Sequence, residues 1–548
     1  MAVTAARCHS VRDAAAAGYY DSPRTLDGIV AGWRDVLRAA GAEVSVVPSG
    51  AIARARDAAV IVVPSSPCLT IATREAIESA AARGKGIVLT GPAGTHDAGC
   101  RSIGWGLVTG LTGASRVEPL GARGMVYVTL PHGGPLAVDL PPGARLDLDP
   151  AGQVALRLAG RDGYYSGYTL LPQPAGGRPL VDAAVAHASR GAARVVYLGF
   201  ELRDAVDTPW NQALVRLLAR NAVAWAAGLP MAAVEPWPEG RRAATVIAHD
   251  VEHQFGNVRH ALDSLEDIGI RTTFYLTSNI AVEHKRLTRA LAEIGEIGTH
   301  SENHRLLGGM PADSQRARLA VTQRELSQLL GDSVRGLRPP EEQFDTATMA
   351  AWVAAGGTYM FGANNARAAA PELLPVGDDT LVMLGRVAAD DFVMTAPGAP
   401  DSPEALAALF LRDWANVRAL GGLYILSYHS QLLAQPRWIP ALARVARTVA
   451  ADSTVWVATA RDVADWWRAR AALGVRAESA RGAVRVMVRH RGAGMLHGAV
   501  VRIVLPPNVR VVRADALLMD APAGVARLAL PPLVPGASRT FTITTAAP

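Results

Sequence analysis

The apolar pattern of residues 243–473 predicts a repeating order of strands and helices. A short β-branched run at 244–248 and a short apolar run at 423–427 are typical of buried strands. Between such runs, apolar residues recur three and four positions apart, as at 285–294 and 312–330, and this spacing predicts helices. The repetition predicts a βα barrel, a fold in which the polar residues that follow each strand meet at one end.

The pattern differs on both sides of this region. From residue 26 to 227, helices and strands alternate, which predicts a doubly wound parallel α/β sheet, with a Gly- and Pro-rich β insertion between 95 and 194. Pro and Gly cluster at 228–240 and indicate a linker. After residue 475, short strands between Pro/Gly turns predict a small β-sandwich. The sequence therefore predicts three domains, at residues 1–230, 231–474 and 475–548.

Composition and charge narrow the class of protein. The chain has 548 residues, of which 50% are hydrophobic and 19% charged, as in globular proteins of more than one domain. The net charge is +6, but the cations are scattered and are not interleaved with aromatic residues. This distribution argues against a nucleic-acid partner. No apolar stretch reaches the length of a membrane-spanning helix, and residues 1–20 lack the apolar core of a signal peptide, so we expect the chain as given to be soluble and not exported.

The N-terminal part weakly resembles the class I glutamine amidotransferase-like or flavodoxin-like layout. Such an amidotransferase exposes its nucleophile on a Gly-x-Cys-x-Gly elbow, whereas Cys68 follows Pro-Ser-Ser-Pro at 64–67. We therefore expect a non-catalytic domain in which Cys68 is a small buried residue. The three cysteines, which include Cys8 and Cys100, are too few and too widely spaced to predict a disulfide framework or a zinc ribbon. Three tyrosines of the β insertion are candidates either for the core or for stacking on sugars: Tyr164, Tyr165 and Tyr168.

The barrel region carries polar groups that suit metal chemistry. His300 and His304 lie four positions apart after an apolar segment. On a helical turn, positions i and i+4 share one face, so both imidazoles can bind the same divalent metal ion. Asp250 and Glu252 follow the buried run at 244–248, where α/β barrels place their chemistry. Two further predicted strands end near a polar side chain, at Arg338 and His429.

Taken in order, these motifs resemble a known family. They are Asp-x-Glu at 250–252, His-Ser-x-x-His at 300–304, Arg-Pro-Pro at 338–340 and Leu-Ser-x-His at 426–429. The set is similar to that of the polysaccharide deacetylases, also called the NodB homology family or carbohydrate esterase family 4, over residues 243–473. The resemblance implies a distorted barrel with fewer than eight βα units. It also implies hydrolysis of an N-acetyl, less often O-acetyl, group on a sugar polymer.

The resemblance also implies a role for each motif residue. Asp250 is the base, Glu252, His300 and His304 bind the metal, Arg338 orients the base and His429 is the general acid. Asp391 lies where the family often has an aspartate that pairs with the arginine, and it is a further candidate. The implied metal is Zn²⁺ or another divalent ion such as Co²⁺ or Ni²⁺. An ion of this class polarises the amide carbonyl and lowers the pKa of bound water, while a carboxylate and a protonated histidine move the protons.

The first motif departs from the common family pattern of two adjacent aspartates. His249 occupies the first of these places and Asp250 the second. In one assignment Asp250 is the base and Glu252 the metal ligand, which keeps a carboxylate in each role. In the other, Asp250 is the metal ligand and His249 is an unusual base. We favour the first assignment.

The sequence thus predicts a metal-dependent hydrolase that removes acetyl groups from a carbohydrate polymer. Two alternatives stay open: a glycan-binding pseudoenzyme, because the first motif is altered, and a hydrolase of the same fold that acts on a small non-sugar amide. The expected partner is an acetylated polysaccharide or oligosaccharide. The family and the β-sandwich favour an extracytoplasmic or cell-envelope location, whereas the identity of the glycan and the oligomeric state stay open.

Overall fold

The computed structural model describes residues 7–12, 23–48, 51–52, 57–120, 126–149, 153–158, 160–166, 183–362, 367–522 and 524–547. The chain forms two compact units. The first consists of Met1–Glu235, Gly474–Arg491 and Val500–Pro548, and the second of Pro236–Leu473 and Gly492–Ala499. The N-terminal and C-terminal parts of the chain thus belong to one unit. The division into three domains stays a prediction.

In the N-terminal part of the first unit, helices alternate with parallel strands, as predicted. The elements in chain order are β1 (Arg7–Arg12), α1 (Pro23–Ala39), β2 (Glu43–Pro48), β3 (Val60–Val63), α2 (Ile71–Ala82), β4 (Gly86–Thr90), α3 (Gly106–Thr112), β5 (Arg116–Pro119), β6 (Val126–Leu130), β7 (Ala144–Leu148), β8 (Val154–Arg157), β9 (Arg161–Ser166), β10 (Ala183–Arg190), β11 (Ala193–Leu198), α4 (Pro209–Ala226) and β12 (Met231–Val234). Parallel strands run in the order β2-β1-β3-β4-β11, which is typical of flavodoxin-like doubly wound sheets. Antiparallel strands β10, β9, β6 and β7 extend the sheet and form the predicted β insertion.

A disulfide joins Cys68 and Cys100, which corrects the prediction for the cysteines. Cys68 is fully buried, as expected, but it is not a free thiol. The two residues are 32 positions apart in sequence, with their Cα atoms 5.1 Å apart. They meet because β3 and β4 are neighbouring parallel strands, so that the segments that follow them leave the same edge of the sheet. Sequence spacing alone does not reveal this adjacency.

The tyrosines of the β insertion belong largely to the core. Tyr164 is 6% exposed. The hydroxyl of Tyr165 donates hydrogen bonds to the carbonyl oxygens of Val154 and Gly199, at 3.2 and 2.8 Å. These contacts favour the core interpretation for both residues. Tyr168 lies outside the described residues.

We expect Glu201→Gln to weaken the pH dependence of the chain's stability. Glu201 is buried and accepts hydrogen bonds from Trp33 Nε1 and Thr90 Oγ1, both at 2.6 Å. Burial raises the pKa of Glu201 from 4.5 to about 7. Because the pKa is higher in the folded state than in the unfolded state, the stability that this carboxyl contributes is present below pH 4.5 and is lost as the pH rises through about 7. The loss between about pH 5 and pH 8 amounts to about 2–3 kcal/mol.

Urea unfolding of the full chain at about pH 5 and pH 8 measures this loss. The wild type should lose more stability than Glu201→Gln between the two values. Glu78→Gln is a matched control, because Glu78 is exposed on α2. A Glu201→Gln protein that keeps the wild-type pH dependence would show that Glu201 is ionised at little cost in the folded chain.

The second unit is built from parallel strands and intervening helices. Its elements are β13 (Ala243–Val251), α5 (Val258–Glu266), β14 (Thr273–Leu276), α6 (Ser278–Glu283), α7 (Lys285–Ile294), β15 (Glu296–Thr299), α8 (Ala312–Leu330), β16 (Gly336–Leu337), α9 (Thr346–Ala354), β17 (Tyr359–Gly362), β18 (Glu372–Val376), β19 (Asp379–Gly385), α10 (Asp391–Met394), α11 (Pro403–Ala419), β20 (Leu423–His429), α12 (Ile439–Ala451), β21 (Val455–Val457) and α13 (Ala460–Ala471). The parallel order is β20-β13-β14-β15-β16-β17-β19, with β18 antiparallel at the edge beside β19. This arrangement confirms the distorted barrel. All nine residues of β13 are buried, as its apolar run predicts.

The C-terminal part consists of short antiparallel strands, as predicted. They are β22 (Leu473–Ala480), β23 (Ala483–His490), β24 (Val500–Val504), β25 (Arg510–Ala514), β26 (Leu517–Asp520), β27 (Val525–Ala529) and β28 (Ser538–Ala546). One sheet has the order β22-β23-β28-β25 and the other β12-β24-β27-β26. The linker prediction is therefore wrong for Met231–Val234, because this segment pairs with β24 as a strand of the second sheet. Within the described residues, no helix is long and apolar enough to cross a membrane.

Candidate active site

A cleft of about 880 Å³ lies where the parallel strands of the barrel end. Register explains why the predicted residues meet there, since Asp250 on β13 pairs with His429 on β20, and β15 ends directly before His300. Six of the seven predicted site residues line the cleft: Asp250, Glu252, His300, His304, Arg338 and His429. The seventh, Asp391, is fully buried behind His429.

Glu252, His300 and His304 form a compact group of donor atoms. One ligand atom from each residue lies within 4.8 Å of the other two. His300 Nε2 is 3.2 Å from Glu252 Oε2, and His304 Nε2 contacts the same oxygen. His300 Nδ1 donates to the carbonyl oxygen of Arg338 at 2.7 Å, which leaves the lone pair of Nε2 directed at the group. Burial opposes the ionised form of Glu252, but its interactions with the neighbouring His300 and His304 outweigh burial and lower the carboxyl pKa.

These donors fit a divalent metal ion. One carboxylate oxygen and two imidazole nitrogens are a typical protein ligand set for a catalytic Zn²⁺-class ion with open positions. Beside them, Asp250 Oδ1 is buried and has no hydrogen-bond partner in the described part of the chain. A buried carboxylate oxygen normally has a partner, so this atom is available to water or substrate. Asp250 lies outside the 4.8 Å group, which supports Glu252 and not Asp250 as the carboxylate ligand.

The two histidines are not on a helical turn, which corrects the reasoning from sequence. They flank a tight turn in which Ser301 has φ 70° and His304 φ 60°. The left-handed region is uncommon for residues other than glycine and occurs at functional sites that the surroundings hold in place. Here the backbone amides of Ser278 and Asn279 donate to carbonyl oxygens of the turn, at 3.0 and 3.1 Å. The turn brings the imidazole ring centroids to 4.9 Å from each other.

Asp250 is held by an arginine and a histidine. Its Oδ2 lies 2.9 Å from Arg338 Nε and 3.3 Å from His429 Nε2. Burial disfavours the carboxylate, but the charges of Arg338 and His300 and the hydrogen bond from His429 together outweigh burial and lower the pKa of Asp250 to about 2. The residue is therefore ionised at neutral pH, as a general base must be.

His249 points away from this group. Neighbouring residues of a strand face opposite sides, so Asp250 and His249 cannot both face the cleft. The ring of His249 stacks on Tyr428, with centroids 4.1 Å apart, and its Nε2 is 2.9 Å from Ser430 Oγ. Burial lowers the pKa of His249 to about 3. This position gives no support to His249 as the base.

His429 and Asp391 form a buried pair. Nδ1 of His429 donates to Asp391 Oδ1 at 2.6 Å, and Asp391 Oδ2 accepts the backbone amides of His429 and Leu433. Burial opposes the charge of the imidazolium, but the hydrogen bonds that His429 donates to the carboxylates of Asp250 and Asp391 raise its pKa to about 10. The expected pairing of Asp391 with Arg338 is therefore wrong, because both oxygens of Asp391 hold the segment of His429.

Arg338 has partners that sequence reasoning missed. Its Nη2 donates to Ser427 Oγ at 2.8 Å and to Glu342 Oε1 at 3.1 Å. Arg386 binds both oxygens of Glu342, each at 3.1 Å, and reaches Asp390 Oδ2 at 3.2 Å. Asp390 in turn caps α10, the short helix that carries Asp391. The base and the acid are thus tied together by one chain of charged contacts. In the sequence, the run Arg-Pro-Pro-Glu-Glu at 338–342 places Glu342 close to Arg338, but it does not reveal the contact of Glu342 with Arg386.

Comparison with known proteins gives one family match. Residues 249–360 match the family model described as polysaccharide deacetylase. A putative polysaccharide deacetylase from Mycobacterium smegmatis is 24% identical, over 43% of this chain and 93% of its own, with a TM-score of 0.40. The carbohydrate deacetylase Agd3 is 12% identical over 99% of both chains, with a TM-score of 0.45. A carbohydrate esterase family 4 pseudoenzyme from Bacillus anthracis is 16% identical, over 40% of this chain and 65% of its own, with a TM-score of 0.31. No curated protein matches the chain.

Proposed function

We propose that this chain, whose residues 249–360 match the polysaccharide deacetylase family model, is a metal-dependent hydrolase that removes acetyl groups from a carbohydrate polymer. The observation that carries the proposal is the convergence, in one cleft, of a three-residue donor group, an ionised carboxylate with one unpartnered oxygen and a histidine of raised pKa. Each is a part that metal-assisted amide hydrolysis requires.

Glu252, His300 and His304 would hold the divalent ion, with Zn²⁺ the first candidate and Co²⁺ or Ni²⁺ the alternatives. When bound, such an ion polarises the scissile carbonyl and makes water a better nucleophile at neutral pH. The outer partners of these ligands are Gln431, which donates to Glu252 Oε1 at 2.5 Å, and the carbonyl oxygen of Arg338 on His300. They fix the direction in which the donor atoms point.

The chain's own residues would move the two protons. Asp250, held by Arg338 through Oδ2, accepts the proton of the attacking water on its free Oδ1. His429, protonated because of its two carboxylate neighbours, donates from Nε2 to the nitrogen of the leaving amine. Asp391 holds Nδ1–H and thereby keeps Nε2 directed at the cleft. An amide needs this acid more than an ester does, because an amine is a poor leaving group until it is protonated.

The disulfide supports a location outside the reducing cytoplasm. Disulfides persist in oxidising compartments and are rare in the cytosol. The Cys68–Cys100 bond, with Cys68 fully buried, fits an extracytoplasmic or cell-envelope enzyme that meets its polymer there.

Acetate release tests the proposed function and separates it from its two alternatives. The full chain, loaded with Zn²⁺, is incubated with N-acetylglucosamine oligomers of increasing length, with O-acetylated xylan and with small linear and cyclic amides. The proposal predicts acetate from an acetylated glycan, with kcat/KM rising with chain length. A glycan-binding pseudoenzyme would release acetate from none of them. A small-amide hydrolase would turn over the small amides and be indifferent to oligomer length.

Glu342→Gln is expected to lower kcat about 10–100-fold with little change in bound metal. The substitution removes the negative charge that pairs with Arg338 and Arg386, so two buried guanidinium groups lose a charged partner. Arg338 is then positioned less firmly against Asp250. Steady-state kinetics with metal analysis measures both quantities. Glu404→Gln, at an exposed position in the first turn of α11, is the control. Equal kcat values for Glu342→Gln and wild type would mean that Glu342 does not position the base.

A further inference from the structure

The outer face of the sheet β22-β23-β28-β25 carries a row of arginines beside a row of threonines. Its inner face is apolar, since Val484, Val486 and Val488 of β23 and Phe541 and Ile543 of β28 are buried. Because side chains alternate along a strand, the residues between them point outward.

Strand register aligns these outward residues. Arg485 pairs with Thr542 across β23 and β28, and Thr544 pairs with Arg513 across β28 and β25. We call the resulting surface the arginine–threonine face and define it by Arg485, Arg489, Arg510, Arg513, Thr540, Thr542 and Thr544. Its four arginines are all exposed.

The face has an excess of positive charge. The nearby carboxylate is Glu478 of β22, which lies 2.7 Å from Arg476 and 3.8 Å from Arg485. Within the described residues, Arg489, Arg510 and Arg513 have no acidic partner within 4 Å. Asp515 follows β25, but its Oδ1 accepts the backbone amide of Thr542 at the strand edge. Among the described residues, three guanidinium groups therefore project from this face without an ion-pair partner, and the arginines outnumber the nearby carboxylates of Glu478 and Asp515.

We propose that the arginine–threonine face binds an acidic polysaccharide, a polymer that carries carboxylate groups. A guanidinium group matches a carboxylate with two parallel hydrogen bonds, and it is weakly hydrated for a cation. The threonine hydroxyls, repeated about every 7 Å along β28, both donate and accept hydrogen bonds, as sugar hydroxyl groups require. Flat sheets with outward polar side chains can follow an extended polymer across several strands.

The composition of the face favours this occupant over a lipid surface. Membrane-surface sites combine cations with exposed aromatic and long aliphatic side chains that enter the acyl boundary. The outward register positions of the four described strands carry no aromatic residue; their one long apolar side chain is the half-buried Met487, and the short side chain of Val512 is exposed at the bulge of β25. The proposal does not depend on the chemistry of the barrel cleft.

The test measures binding of the full chain to alginate, a polyuronate, with neutral dextran as the reference polymer. The face variant is R485Q/R489Q/R513Q. The matched control is R286Q/R444Q/R447Q, which changes the net charge equally at exposed positions on α7 and α12. We expect the face variant to bind alginate at least about tenfold more weakly than wild type and control at low ionic strength. Wild-type binding should weaken as salt is raised toward about 1 M.

Three results would overturn the proposal. Equal losses in the face and control variants would show a response to overall charge. Binding to vesicles of anionic phospholipid without binding to alginate would identify a lipid surface instead. If the wild type did not bind alginate at low salt, the arginine–threonine face would not be a binding site for acidic polysaccharides. Circular dichroism and thermal unfolding check that both triple variants fold, and the single variants R489Q and R513Q serve if a triple variant does not. None of these outcomes depends on acetate release, so a failure here is distinct from failure of the proposed deacetylase.

Discussion

Asp250→Asn should lower kcat for acetate release by about 10³-fold while the protein keeps its metal. The substitution preserves the shape of the side chain and its contact with Arg338 but removes the oxygen charge that accepts the proton of water. A general base contributes about 10²–10⁴-fold to such reactions. The measurement combines steady-state acetate release with elemental analysis of the same protein sample.

Glu252→Gln is the matched comparison for this prediction. Glu252 shares its Oε2 with both histidines, so its amide counterpart should lose most of the bound metal as well as activity. The opposite result, metal lost from Asp250→Asn and retained by Glu252→Gln, would contradict the assignment. It would make Asp250 the ligand and leave the base to be found elsewhere in the cleft.

His429→Gln should reduce hydrolysis of N-acetyl groups by about 10²–10⁴-fold, with metal again retained. Nε2 of His429 faces the cleft beside Asp250, and the raised pKa of the imidazole keeps it protonated near neutral pH. The amine of an acetamide leaves only once it is protonated, so we expect the rate of hydrolysis to fall for the amide substrate. Kinetics on an N-acetylated oligosaccharide and on an aryl acetate separate this role from general damage to the site.

The aryl acetate is the internal control for His429, because its phenolate leaves without a proton. The variant should therefore lose much less of its activity on this ester than on the amide. Equal losses on both substrates would argue that His429 acts on the fold of the cleft and not as an acid. Asp391→Asn, which leaves His429 without its Nδ1 acceptor of opposite charge, should show the same substrate dependence with a smaller loss.

Much of the barrel could be predicted because its signals are local. The amphipathic spacing of α7 and α8 predicts both helices with the bounds that the structure has, 285–294 and 312–330. The hairpin of β18 and β19 was missed. Pro375 lies inside β18, and proline argues against a strand interior, but β18 is an edge strand and tolerates it. Arg386 follows β19 directly, and it was overlooked because the hairpin that positions it was not predicted.

The site residues were easier to find than the contacts between them. Polar residues at strand ends identify Asp250 and His300, because parallel strands end at one edge of the barrel. Sequence spacing does not reveal the left-handed turn at Ser301, nor does it say which charged group reaches which partner, as the pairing of Asp391 with His429 illustrates. Both depend on side-chain directions that only the packed barrel fixes. Cys68 and Cys100 are a further case, since their proximity follows from the pairing of two strands.

The measurement that tests the account most directly is the number of metal ions bound per chain. Elemental analysis compares the purified wild type with His300→Ala after incubation with excess Zn²⁺ and removal of unbound ion. The account predicts about one ion per wild-type chain and almost none in the variant, because His300 supplies one of three donors that meet at a single point. A wild type that stays metal-free, or a variant that holds as much metal as the wild type, would contradict the central claim.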